Sequence, residues 1–151
     1  MARWGVTATK GANAAQQFVM TITAATASPR RARIYDWTLG CGASPADNTF
    51  IHIAQRCTTS ATGASKTPNA LDPADTLAST IVTVDTITTD PTVTAAAFLA
   101  RKALNQRATF RWVAAPYGEL VVPATASNGV AFGLTASSAT SFEYDFAFEE
   151  L

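Results

Sequence analysis

Asn105–Leu134 reads NQRATFRWVAAPYGELVVPATASNGVAFGL, and the fold class turns on it. Three apolar runs, Thr109–Ala114, Glu119–Val122 and Val130–Leu134, are separated by Ala115-Pro116-Tyr117-Gly118 and Ala126-Ser127-Asn128-Gly129. Short apolar runs bounded by Pro, Gly and Asn are the pattern of antiparallel strands. Proline fixes φ, and glycine or asparagine tolerates the left-handed region, so both tetrapeptides can reverse the chain. The expectation is two consecutive hairpins.

Working outward, Ser141–Phe148 alternates with a period of two: Phe142, Tyr144, Phe146 and Phe148 face one way and Glu143, Asp145 and Ala147 the other. Four aromatics on one face can anchor a core, each burying on the order of 150–250 Å². Upstream, Gln17–Thr23 puts Phe18, Met20 and Ile22 on one side, with Val19 as the exception. Arg31–Leu39 sets Ile34 opposite Tyr35, Trp37 and Leu39. After the turn-rich Gly40–Asn48, Thr49–Cys57 turns Ile51, Ile53 and Cys57 one way and Phe50, His52 and Arg56 the other. Large groups on both faces mean cover on both faces, by a core and by something else, with Arg56 near the second boundary.

Thr58–Thr76, with Gly63, Pro68 and Pro73, shows no strand pattern. Residues 77–94 are Thr-rich and β-branched and read as an edge strand or extended segment broken at Asp90-Pro91. Ala95–Arg107 contains good helix formers but no apolar stripe at helical spacing, so a strand is favoured. Residues 1–14 read as an arm or a short first strand carrying Trp4 and Val6, and residues 15–151 as a single domain. The fold expected is all-β: an antiparallel β-sandwich or jelly roll of about eight strands.

At 151 residues the chain suits one core. Charged residues make up 15%, below the roughly 25% usual for globular domains, so part of the surface is expected to be covered. The net charge is zero, which argues against general nucleic-acid binding. Basic residues concentrate early and none follows Arg111, whereas Glu119, Glu143, Asp145, Glu149 and Glu150 come late. Solvated surface charge is the favoured explanation; complementarity between neighbouring subunits is the sharper one. Ala14–Ala27 resembles a secretory leader, but Gln16, Gln17 and repeated Thr break its apolar part, and no run is long enough for a membrane span. A soluble, non-secreted protein is expected.

Reactive constellations are sparse. The single histidine, His52, sits mid-strand with no G-x-S-x-G elbow in the chain, so a packed imidazole is favoured over a catalytic one. Cys41 and Cys57 lack metal-ligand spacing; a disulfide and free thiols both stay open, with free thiols favoured. Asp72, Asp75, Asp85 and Asp90 lack EF-hand spacing, and loop solvation is the favoured account of them. Glu143, Asp145 and Glu149 on one outward face have the spacing of a two-carboxylate site, though an exposed acidic face is the commoner origin. No enzyme activity, cofactor or metal is expected. Among the aromatics, Trp37 and Trp112 are assigned to core or interface, and Tyr117 and Trp4 to sugar or protein contact.

The segments NQRATFRWVAAP-YGELVVPATA-NGVAFG and Arg31–Asn48 resemble the small head decoration, or cement, proteins of tailed bacteriophages, over about a third of the chain. The resemblance implies a mostly β, often jelly-roll protein, commonly trimeric, on the outside of a capsid after assembly in the host cytoplasm. It implies as partners the major capsid protein and further copies of the chain, with neither nucleic acid nor membrane. Candidate contacts are Trp4, Arg30, Arg31, Arg33, Arg56 and Tyr117, together with Thr58–Thr94. The alternative is a carbohydrate- or receptor-binding component of a fibre or spike.

Overall fold

A computed structural model describes residues 2–11, 17–42, 44–76, 78, 81–136 and 141–151. The strands are β1 (Arg3–Gly11), β2 (Gln17–Ala24), β3 (Ala32–Cys41), β4 (Thr49–Cys57), β5 (Thr62–Ser65), β6 (Asn69–Ala70), β7 (Ile81–Thr89), β8 (Val93–Asn105), β9 (Phe110–Val113), β10 (Leu120–Val122), β11 (Gly129–Ala136) and β12 (Ser141–Glu150). They form two antiparallel sheets, ordered β10-β3-β12-β1-β6 with β9 also on β3, and β5-β7-β2-β11-β4-β8. Sheet I is the first of these and sheet II the second.

The pairings are nested: β1 with β12, β2 with β11, β3 with β9 and β10, and β4 with β8. A long hairpin pairs first with last in this way, and rolling it up brings β12 beside β3 and β11 beside β4. That is the jelly-roll arrangement of eight strand positions, with both ends of the chain in the sheet I pair β1·β12. The higher strand count has two sources. One position is split into β9 and β10, and β5, β6 and β7 are inserted between β4 and β8. The inserted segment adds β5 to the edge of sheet II and β6 to the far edge of sheet I, so Thr58–Thr76 does contribute strands. β7 lies between β5 and β2 instead of at an edge.

Neither expected hairpin forms. β9 and β10 both pair with β3, Val113 opposite Asp36 and Leu120 opposite Ile34, so Ala115–Gly118 is an excursion from one interrupted strand. β10 and β11 lie in different sheets, and Ala126–Gly129 carries the chain across the sandwich. A turn signal states that the chain deviates; the partner is chosen by what each flanking strand buries. The left-handed residues are Tyr117 (φ 66°) and Ser127 (φ 62°), not the glycines. Gly129 is needed for another reason: a Cβ there would lie 2.1 Å from the Ile22 carbonyl oxygen of β2.

Two bulges revise the facing of residues. Register slips between Phe132 and Gly133 opposite β2, so Val19 joins Met20 and Ile22 in the core while Phe18 turns outward. A second slip, between Ala147 and Phe148 opposite β3, makes Tyr35 the extra residue and puts Ile34 on the same side as Trp37 and Leu39. The core between the sheets takes Phe142, Tyr144, Phe146 and Phe148 from β12, Phe132 and Leu134 from β11, and Phe50 from β4. A smaller cluster, Phe18, Ile53, Cys57 and Ala131 with Ile87 and Val93 against it, covers the outer face of sheet II. The two-sided cover expected for β4 is therefore supplied partly by the chain's own β7 and β8.

Candidate interaction surface

The sequence candidates do not converge on one site. Trp4 is 2% exposed, packs against Phe148 with ring centroids 5.8 Å apart, and donates its Nε1–H to the Thr76 carbonyl at 2.9 Å. It is a core residue of β1, so its assignment as a contact is corrected. The alternation Trp4, Val6, Ala8 carried that signal, since the three lie on the buried face. Residues 12–14 of the expected arm lie outside the described residues.

Arg56 points to the core side at the end of β4 and donates to the Val121 carbonyl of β10, linking the two sheets. Its expected place at the second boundary of β4 is corrected accordingly. Arg30 and Arg33 lie 3.9 Å from Glu150 and Glu149. Arg31 is exposed and has no ion pair among the described residues. The separation of charge along the sequence vanishes in the fold, because β12 runs antiparallel between β1 and β3 and sets Glu149 opposite both Arg3 and Arg33. Subunit complementarity loses its main motive.

Tyr117 is 94% exposed. Its loop is closed by the Gly118 N–H donating to the Ala115 carbonyl at 2.8 Å, a turn with proline second and a left-handed residue third. Glycine is the usual occupant of that third position. At the loop's base the Ala114 N–H donates to the Tyr35 carbonyl at 2.8 Å, so the bulge in β3 and the excursion from its partner strand are one local device. A bulky residue held left-handed at a solvent-exposed tip is strain of the kind found at functional positions. Val113, at the foot of the loop, is also exposed.

The outer face of sheet I carries a groove of about 350 Å³. Gly5 and Ala147, paired across β1 and β12, form a low floor, Leu71 makes one wall, and Thr7, Asp145 and Thr38 stand in the adjacent cross-strand row. Asp36 is fixed at the side by Arg111, whose Nε and Nη2 reach its two oxygens at 3.1 and 2.6 Å. That contact holds the guanidinium pKa above its ordinary value. The outward carboxylates of β12 have separate partners: Glu143 accepts from Thr9 Oγ1 and Glu149 pairs with Arg33.

The remaining chemical candidates lie apart from one another, buried or paired within the chain. His52 is buried, its Nδ1 lies 3.3 Å from Tyr144 Oη, and burial pushes its pKa down to about 4, opposed by the Gly133 backbone. Tyr144 is pushed up by the same burial. Cys41 ends β3 in sheet I and Cys57 ends β4 in sheet II, with no disulfide between them. Burial raises the Cys57 thiol to about 11, which suits packing and opposes nucleophilic chemistry. Of the aspartates, Asp85 lies within β7 and pairs with Lys66 at 3.2 Å, and Asp72 Oδ1 accepts from the Ala74 N–H at 3.0 Å. No group of three or more potential metal ligands occurs among the described residues.

No family model matches the chain, and no curated protein or solved structure is significantly similar to it.

Proposed function

We propose that this chain is a structural virion protein that binds the outer surface of a phage capsid and bridges neighbouring major capsid proteins, as a trimer about a local threefold axis. The observation that carries the reading is the Tyr117 loop. The chain interrupts an edge strand and holds a large aromatic left-handed in solvent, where it contributes nothing to the core. An exposed rigid aromatic is the type of group that anchors a protein contact. The jelly-roll frame and the resemblance of residues 105–134 to decoration proteins support the same reading. Mechanistically, each copy adds a modest contact, and repetition over a lattice multiplies it. The test is retention on capsids lacking their decoration protein, followed by heating. Wild type is expected to sediment with the shells and raise their disruption temperature. Equal survival of bare and coated shells would sink the proposal.

A second reading, a glycan- or receptor-binding component, is favoured by the sheet I groove, whose apolar floor and rim of hydroxyl and carboxylate groups suit a sugar. Binding on a glycan array that is lost on filling the floor with Ala147→Phe would select it.

A further inference from the structure

β8 is the longest strand, thirteen residues, and none of them is buried. It ends sheet II, with β4 on one side and no strand on the other among the described residues. Long exposed edges are templates for pairing, and proteins blunt them with bulges, prolines or short strands. The first half of β8 is blunted: register slips twice opposite Gln55, and Ala96 is left-handed at φ 56°. Its second half is not. From Ala100 opposite Ala54 to Asn105 opposite Thr49 the ladder runs without a slip and contains no proline.

The direction of the free backbone groups follows from one bond. The Gln106 N–H donates to the Asn48 carbonyl at 3.0 Å, so Gln106 points toward β4. Successive residues of a strand point their N–H and C=O to alternate sides. Leu104, Lys102 and Ala100 therefore also point toward β4, and Arg101, Ala103 and Asn105 point away.

We infer that Arg101–Asn105 is an interface with a second copy of this chain, the two β8 strands pairing antiparallel about a two-fold axis at Ala103. In that register Ala103 faces Ala103 of the other copy and Arg101 faces its Asn105, whose carbonyl already accepts from the Ala108 N–H at 2.9 Å and is shared with the incoming Arg101 N–H. The turn closed by the Ala108 N–H on the Asn105 carbonyl rules out an axis at Asn105, and charge disfavours the other neighbouring axes. A centre at Arg101 or Lys102 sets like charges directly opposite each other, and one at Leu104 sets Arg101 against Arg107. With the axis at Ala103, Arg101 instead approaches Asp47 of the other copy, because Asp47 Oδ1 accepts from Asn105 Nδ2 at 2.7 Å, and it joins the ion pair that Asp47 Oδ2 already makes with Arg107 at 3.7 Å. Lys102 falls opposite Leu104, whose side chain its methylene stem can cover. The small alanine at the axis lets the backbones meet. The contact makes two sheets continuous and is independent of any capsid.

So short an interface is weak in dilute solution and is favoured where copies are crowded. The test is sedimentation velocity on the purified chain from about 10 μM to about 1 mM, concentrations spanning weak association. A reversible dimerisation step is expected, joining single copies or copies within the trimer proposed above, with the Ala103 amide exchanging more slowly as concentration rises. Ala103→Pro removes an N–H that β4 does not use, so the fold should survive by circular dichroism and the dimer should vanish. Arg101→Glu should weaken the dimer about tenfold, and Arg101→Glu with Asp47→Arg should restore it. These exposed substitutions keep the test open if the proline variant fails to fold. A wild type with no dimerisation step at the highest concentration overturns the inference, as does a step indifferent to the Arg101 and Asp47 variants.

Discussion

β8 and β12 are the protein's contrasting long strands. β12, ten residues, lies in the middle of sheet I and buries Phe142, Tyr144, Phe146 and Phe148, whereas β8, thirteen residues, ends sheet II with no fully buried residue, its Leu99, Ala100 and Leu104 only partly buried against the core. Their side chains differ accordingly: aromatics alternate with acids in one, and alanine dominates the other with two adjacent cations. Length therefore does not measure what a strand contributes to stability. β12 is held by what it excludes from water; β8 is held mainly by its ladder to β4, and its far side meets no strand among the described residues.

The comparison breaks most visibly if truncations in the two strands cost the same. Phe146 packs against Phe132 with ring centroids 4.5 Å apart. Phe146→Ala should lose about 3–5 kcal/mol in chemical denaturation, the usual cost of a large cavity in a core that cannot collapse. Phe98 on β8 is 41% exposed with the Arg101 guanidinium 5.6 Å from its ring centroid. Phe98→Ala should lose no more than about 1 kcal/mol. Comparable losses would mean that the edge strand is part of the folding core.

The buried partner of β12 gives a pH signature. His52 lies against Tyr144, and its folded-state pKa is near 4 against an ordinary 6.5. Between those values the unfolded chain takes up a proton that the folded chain refuses. Stability is therefore full above about pH 6.5 and falls as pH drops toward 4, by about 3 kcal/mol in all. Urea melts across that window check it. His52→Leu should flatten this part of the profile even if it lowers stability throughout, and an unchanged slope would reassign the effect to carboxylates.

Strand β12 was legible because nothing interrupts its period of two on the buried side, and the same clarity made the all-β class readable. Facing failed where a bulge intervened. Val19 looked like an exception in β2 and is the extra residue that turns Phe18 outward; Tyr35 is the extra residue in β3 that brings Ile34 to the core side with Trp37. One inserted residue reverses parity for all that follow, and no local composition marks it. Pairing failed for a related reason: Pro116 and Gly118 signalled a reversal, but both flanks bury against the same strand, β3. Trp4 was misplaced because a strand entering the middle of a sheet looks, at a chain end, like an arm. The Tyr117 tip was legible as an exposed turn, whereas the groove at Gly5 and Ala147 depends on residues more than 140 positions apart in sequence.

A smaller effect separates glycines of the central and open faces. At Gly129 a Cβ would lie 2.1 Å from Ile22 O and 2.7 Å from Thr23 Cα, both backbone atoms of a paired strand. Gly129→Ala should cost about 1–3 kcal/mol, since neither strand can move without disturbing its ladder. At Gly5, on the floor of the groove, the nearest atom would be Leu71 Cδ2 at 3.4 Å, an ordinary contact. Gly5→Ala should stay within about 0.5 kcal/mol of wild type in the same melts.

The smallest change in stability is expected where the proposed functional change is greatest. Tyr117 holds φ at 66° with its side chain in solvent. A left-handed non-glycine residue costs roughly 1–2 kcal/mol, and glycine recovers that at the expense of more freedom in the unfolded chain. Tyr117→Gly should therefore melt at the wild-type midpoint or slightly above it, by up to about 1 kcal/mol. Under the proposed function the same variant should lose retention on capsids, because the side chain would then serve the partner and not the fold. Destabilisation by Tyr117→Gly would show the aromatic to be supporting its own loop, and undiminished retention would show that the tip is not the anchor. A gain in stability with a loss of binding is the combination that a purely structural tyrosine cannot produce.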